Sequence, residues 1–173
     1  MKIRRKYLPE FVYGATDGTV TTFAVVAGSI GASLSASIVL ILGFANLFAD
    51  GFSMAISNYL STKSQKELNE NNKQKNINKK DPKKTALATF LSFILIGFIP
   101  LLSFVLAIFI PTISNSKFLY SIILTGVSFL VIGAIKGEIV NKSKASSAIE
   151  TFLIGAAAAI IAFIVGYLLR NLV

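Results

Sequence analysis

Five apolar stretches, at residues 11–32, 35–60, 86–110, 117–137 and 149–169, govern what this chain can fold into. A helix needs about 20 apolar residues to cross the hydrocarbon of a bilayer, and each stretch reaches or approaches that length. Of the 173 residues, 54% are hydrophobic, and the mean hydropathy is +0.71. A soluble domain this small could not bury so much apolar surface, so lipid is the expected solvent. The expected fold is all-α: an integral membrane protein with one transmembrane domain over residues 1–173 and five spanning helices.

The first stretch follows a basic N-terminus, as the apolar region of a signal peptide would. It lacks a small-residue cleavage site before the next span and carries Asp17 in its middle, so it reads as a retained helix. Five is an odd count, which rules out duplication of the whole chain, and no internal repeat is visible.

Charge sets the expected direction. The net charge is +9, and its placement matters more than its size. With the N-terminus inside, the inner segments hold fifteen Lys and Arg: four in 1–10, eight in 61–84, and Lys136, Lys142 and Lys144. The outer segments hold only Lys117 and Arg170. Positive charge stays inside, which predicts a multi-pass protein with a cytoplasmic N-terminus and an outer C-terminus. No nucleic-acid partner is expected, since no recognised binding fold accompanies the basic runs.

The connector 61–84, "STKSQKELNENNKQKNINKKDPKK", is polar and rich in Asn and Lys. Its first part is expected to prolong the second helix, with nothing periodic beyond about Glu70. The Asp81-Pro82 pair marks the next helix start. As a solvated run it anchors the inner face.

The chain has no cysteine and no histidine. Thiolate and imidazole sites are excluded, as are the nucleophiles and bases built from them. A metal ion would have to be met by carboxylate, amide, thioether or backbone oxygen. No cofactor and no enzymatic chemistry are expected.

Three carboxylates lie within or at the ends of the first two spans: Glu10, Asp17 and Asp50. An ionised carboxylate at the centre of a membrane costs about 2.5–3.5 kcal/mol even on the lenient insertion scale, so such residues are candidates for ion sites or proton relays. Asp17 and Asp50 each precede a glycine, which permits close helix approach. Glu10 and Asp17 are seven apart and share a helix face, about 10 Å apart along the axis. Asn46, Asp50 and Met54 form an i, i+4, i+8 stripe. If the two stripes face each other, oxygen ligands and one sulfur line a single polar track. A thioether beside carboxylates favours a softer divalent ion such as Fe(II), with Mn(II) or Co(II) also accommodated.

Each residue also has a plain structural role open to it. Met54 can fill a packing gap, Asn46 can hydrogen-bond between helices, and neutral Asp17 and Asp50 can fix helix register. Ala24, Gly28, Gly31 and Ala32 on the first helix, and "GAAAAIIAFIVG" on the fifth, offer surfaces for close packing within or between subunits. Pro100 should kink the third helix. Lys136 and Glu138 read as an interfacial anchor at the inner end of the fourth.

"YGATDGTVTTFAVVAGSIGAS" followed by "ILGFANLFADGFSMAISNYLSTKSQ" resembles the vacuolar iron transporter family in its prokaryotic form. "FLVIGAIKGEIVNKSKASSAIETFLIGAAAAIIAFIVGYLL" is similar to that family's last two helices. The resemblance implies a homodimer of five-helix subunits that moves Fe(II), and often Mn(II), out of the cytosol in exchange for protons. Carried over by position, Asp17 matches the family's essential first-helix aspartate, and Glu10 an acidic residue toward the cytoplasmic mouth. Met54 matches the methionine of the transport site. Asn46 stands where eukaryotic members carry a glutamate, and here the acid sits one turn on, at Asp50. Asp50 either takes over that role or faces elsewhere. Eukaryotic members also carry a cytoplasmic metal-collecting domain between the second and third helices. This chain has about 24 residues there, with Glu67 and Glu70 as its only glutamates, and its lysines would repel divalent cations.

The expectation is therefore a proton-coupled exporter of Fe(II) and possible Mn(II) carrier, with Asp17, Met54, Asp50 and Asn46 at the metal. Asp17 and Glu10 would serve proton coupling and the ion entrance. The rivals are a transporter or channel for another cation, and a membrane scaffold whose acids only hold the bundle together.

Overall fold

The computed structural model describes residues 6–71 and 80–172. These residues form helices and connecting turns, with no strand among them. Helix α1 is Leu8–Gly31, α2 Ala36–Asn71, α3 Pro82–Gly97 and α4 Ile99–Phe109. A single turn, α5 (Pro111–Ser114), leads into α6 (Lys117–Ile139) and α7 (Lys144–Leu169), which ends in a 3-10 turn over Arg170–Leu172.

Local chemistry explains these limits. The Asp81 carboxylate accepts from the Lys83 N–H at 2.9 Å and Pro82 opens α3, as the Asp-Pro pair predicts. Ser143 caps α7 in the same way, accepting from the Ser146 N–H at 3.3 Å. Helix α2 continues without a break to Asn71, so the first part of the connector does prolong it. Residues 72–79 of the connector lie outside the described residues.

The kink expected at Pro100 is a break: α3 and α4 are bent by 46° across Phe98. Proline lacks the N–H that would continue the α3 ladder. The bent segment is held to α6 by two serines. Ser121 donates to the Pro100 carbonyl at 2.6 Å, and Ser103 to the Lys117 carbonyl at 2.7 Å.

Three helices, α2, α6 and α7, are long and apolar enough to cross a membrane, and the bent α3–α4 pair makes a fourth if taken as one span. Helix α1 has the length but is too polar by composition, because threonines, glycines and Asp17 interrupt its apolar residues. It occupies the interior instead, packing against α2, α3, α4, α6 and α7. Its two halves differ. Phe23 and Val26 join Val39 of α2 and Leu101 and Phe104 of α4 in a buried apolar core. The earlier half carries Glu10, Thr16, Asp17 and Thr19, with Thr21 just past the middle.

Two close approaches set α1. A Cβ on Gly18 would stand 2.6 Å from the Phe93 carbonyl oxygen, so α1 and α3 meet backbone to backbone beside Asp17. Farther along, Gly28 and Gly31 lie against the backbone of α7 at Ala162 and Phe163. That small-residue surface therefore serves packing within the chain. The outer face of α7 is bare, with Ile160, Ile161, Ile164 and Leu168 exposed, while its first half packs on α6 through Ser147, Ala148, Thr151 and Gly155.

Candidate functional site

Asp17 is half-buried, one turn after Tyr13 on α1. It lines an open groove of about 570 Å³ with Thr16 and Val20 of its own helix, Lys136 of α6 and Thr151 of α7. Lys136, expected as an interfacial anchor, thus faces the same groove as the acid while also pairing with Glu150 at 3.4 Å.

The stripe on α2 approaches α1 from the other side. The Asn46 amide donates to Thr21 Oγ1 at 3.4 Å, and Thr21 Oγ1 donates to the Asp17 carbonyl at 2.9 Å. Asp50 is half-buried, and its carboxylate lies within electrostatic reach of Asp17. Gly18 and Gly51, the residues after these two acids, both face Phe93, which is fully buried on α3. Phe93 meets α1 at Gly18 through its backbone and α2 at Gly51 through its ring.

Met54 falls elsewhere. It lines a second groove of about 360 Å³ with Tyr13, Ser57, Asn58 and Ser61. Tyr13 belongs to both grooves and stands between them. Asn46 is thus linked to the Asp17 backbone through Thr21 and Asp50 lies within electrostatic reach of its carboxylate, while Met54 sits in the neighbouring groove that Tyr13 also lines.

Glu10 is buried at the start of α1, where a negative charge suits the free N–H groups of the first turn. Its Oε1 accepts from Lys80 at 2.7 Å, and among the described residues its buried Oε2 has no hydrogen-bond partner. Glu67 and Glu70 border a third groove with Lys63, Lys66, Asp81 and Lys83, so lysines share it with the acids. Among the described residues no three of His, Cys, Asp or Glu gather as a metal site. The donors near Asp17 are instead mixed: carboxylates, an amide and hydroxyls.

The polar stripe is longer than Asn46, Asp50 and Met54. Its four-residue period continues through Asn58 and Thr62, toward the connector. Asn58 donates to the buried Thr89 of α3 at 2.6 Å and accepts from Thr62 at 3.3 Å. Thr62 Oγ1 in turn lies 3.1 Å from Thr85 Oγ1. The period was the available signal for Asn58 and Thr62; no sequence spacing pointed to Thr85 and Thr89.

The profile of the VIT family matches residues 8–81 and 72–167. A protein of Toxoplasma gondii named vacuolar iron transporter is 46% identical over 69 residues, covering 40% of this chain and 23% of that protein. One of the same name from Plasmodium falciparum is 26% identical over 225 aligned positions, covering 95% of this chain and 82% of the relative. Vacuolar iron transporter 1 of Arabidopsis thaliana is 27% identical over 210 positions, covering 89% and 82%. The two longer alignments exceed the 173 residues of this chain. Those relatives therefore carry additional residues inside the aligned region.

Proposed function

The chain belongs to the VIT family, and from that premise we propose that it exports divalent metal, chiefly Fe(II) and also Mn(II), in exchange for protons. Relatives named vacuolar iron transporter support a membrane metal transporter rather than an enzyme. The observation that carries the reading is Asp17, a half-buried acid on the innermost helix, open to a groove, with Asp50 of α2 within electrostatic reach and Asn46 tied to its backbone through Thr21.

In this reading α1 counts as the fifth crossing, since its polar half is shielded by the other helices. The distribution of Lys and Arg supports a cytosolic N-terminus and an outer C-terminus. The membrane is the cell's inner membrane, where the relatives are named for the vacuole. Both membranes bound the cytosol.

The protein works as a homodimer. Two features support this: the groove at Asp17 is open and largely apolar around the acid, and the outer face of α7 is bare. Asp17 from two copies, with Asp50 and Met54, binds a partly dehydrated ion, and Glu10 receives it at the inner mouth. Alternating access then exposes the ion outside. Protonation of Asp17 removes the charge that held the metal, and the ion leaves. Asn46 holds α2 in register with α1.

Flux of Fe(II) and Mn(II) into liposomes, followed with an internal pH dye, tests this. Wild type should couple metal movement to opposite proton movement, and Asp17→Asn should lose both. A wild type with no metal-dependent proton movement removes the antiport reading. Undiminished flux in Asp17→Asn removes the site assignment.

A further inference from the structure

Glu10 and Lys80 are separated by 70 positions in sequence yet form the most buried ion pair among the described residues. Lys63–Glu67, Lys136–Glu150 and Lys144–Glu138 all involve well-exposed side chains. Among the described residues the Glu10 carboxylate is only half satisfied: Lys80 Nζ stands 2.7 Å from Oε1, while Oε2 is buried with no partner there. A purely structural buried carboxylate is expected to have both oxygens engaged. A lysine ammonium is a compact charge that serves one of them, whereas a divalent cation can take both.

We propose that Lys80 is a built-in competitor for the divalent cation at Glu10, holding the mouth carboxylate until a metal ion displaces it. The inference rests on Glu10 as the inner mouth of the transport path. The geometry makes the exchange reversible. Lys80 has a flexible four-carbon stem, so its head can withdraw without moving the backbone. The backbone beside it is tied down separately: the Asp81 N–H donates to Tyr7 Oη at 3.4 Å, and Asp81 caps α3. After displacement the ammonium therefore stays within reach of Glu10. The lysine also sets a threshold, because a site mostly occupied by its own cation binds metal more weakly by the fraction that is free.

Two measurements test this, with Mn(II) as the probe. The first is labelling of lysine amines on the purified full-length protein in detergent, read by peptide mass spectrometry, with exposed Lys63 as internal reference. Lys80 should label slowly without metal and several-fold faster with Mn(II), while Lys63 stays constant. In Glu10→Gln, Lys80 should label fast with or without metal. The second is transport in liposomes, where Lys80→Gln should lower the half-saturating Mn(II) concentration several-fold and Lys80→Arg should not. Unchanged Lys80 labelling in a wild type that transports Mn(II) overturns the competitor role and leaves the transport reading standing. A wild type that moves no metal overturns the transport reading, and the labelling shift still decides whether Glu10 exchanges Lys80 for Mn(II).

Discussion

Asn46 on α2 hydrogen-bonds to Thr21 on α1, and Thr21 returns a hydrogen bond to the carbonyl of Asp17. The Asn46 amide is thus engaged in a neutral contact between helices. The neighbouring acid, Asp50, is the α2 carboxylate within electrostatic reach of Asp17.

This division predicts unequal effects within one stripe. Asp50→Asn should lower metal flux about tenfold or more, equivalent to roughly 1.4 kcal/mol of lost stabilisation of the moving ion. Asn46→Ala should cost about 0.5–1.5 kcal/mol of stability, the worth of one hydrogen bond, and leave much more of the flux. Metal flux and thermal midpoints on the same preparations check both. Equal losses of flux in the two variants would contradict the division.

Met54→Leu keeps the side-chain volume and removes the sulfur, so the packing cost should stay under about 1.5 kcal/mol. Without the thioether the preference for Fe(II) over Mn(II) should shrink, because the remaining donors are hard. Competition between the two ions in liposomes measures the ratio. A preserved iron preference would assign Met54 to packing.

The two Asp-Gly pairs should respond differently to the same change. In Gly18→Ala the new carbon meets the Phe93 carbonyl oxygen at 2.6 Å, and the α1–α3 contact must open. A loss of about 1–3 kcal/mol is expected. In Gly51→Ala the nearest atoms are ends of side chains, Phe93 Cδ1 at 3.1 Å and Ile94 Cδ1 at 3.3 Å. Their small displacement is offset by alanine's better helix propensity, about 0.8–1 kcal/mol. Thermal unfolding in detergent should place Gly51→Ala near wild type and Gly18→Ala well below it.

Asn58→Ala removes the donor to Thr89 and leaves a buried hydroxyl without that partner. The expected cost is about 1–3 kcal/mol. Thr89→Val, which removes the hydroxyl and leaves the amide half-buried, should cost less. Denaturation midpoints of both variants, compared in one detergent, decide it.

The helices were legible because their causes are local. Apolar runs, the Asp81-Pro82 start and the Pro100 break all act within a few residues. The same runs overstated α1, whose threonines make it an interior helix rather than one that meets the apolarity of a lone span. The site was legible along each helix and not between them. A four-residue period fixes which residues of α2 share a face, but not the rotation of that face against α1. Met54 and Asp17 therefore fall in adjacent grooves with Tyr13 between them, a partition no spacing encodes. Glu10 and Lys80 meet through the return of the chain at α3, a relation that only the tertiary packing creates.

Helix α2 runs unbroken for 36 residues, about 54 Å, against roughly 30 Å of hydrocarbon. The surplus is stiff and continuous with the turns that carry Asp50 and Met54. It is a lever: with an arm of about 25 Å, a tilt of about 10° at the membrane moves its tip by about 4 Å. Any tilt of α2 within the bundle would thereby be magnified at its far end.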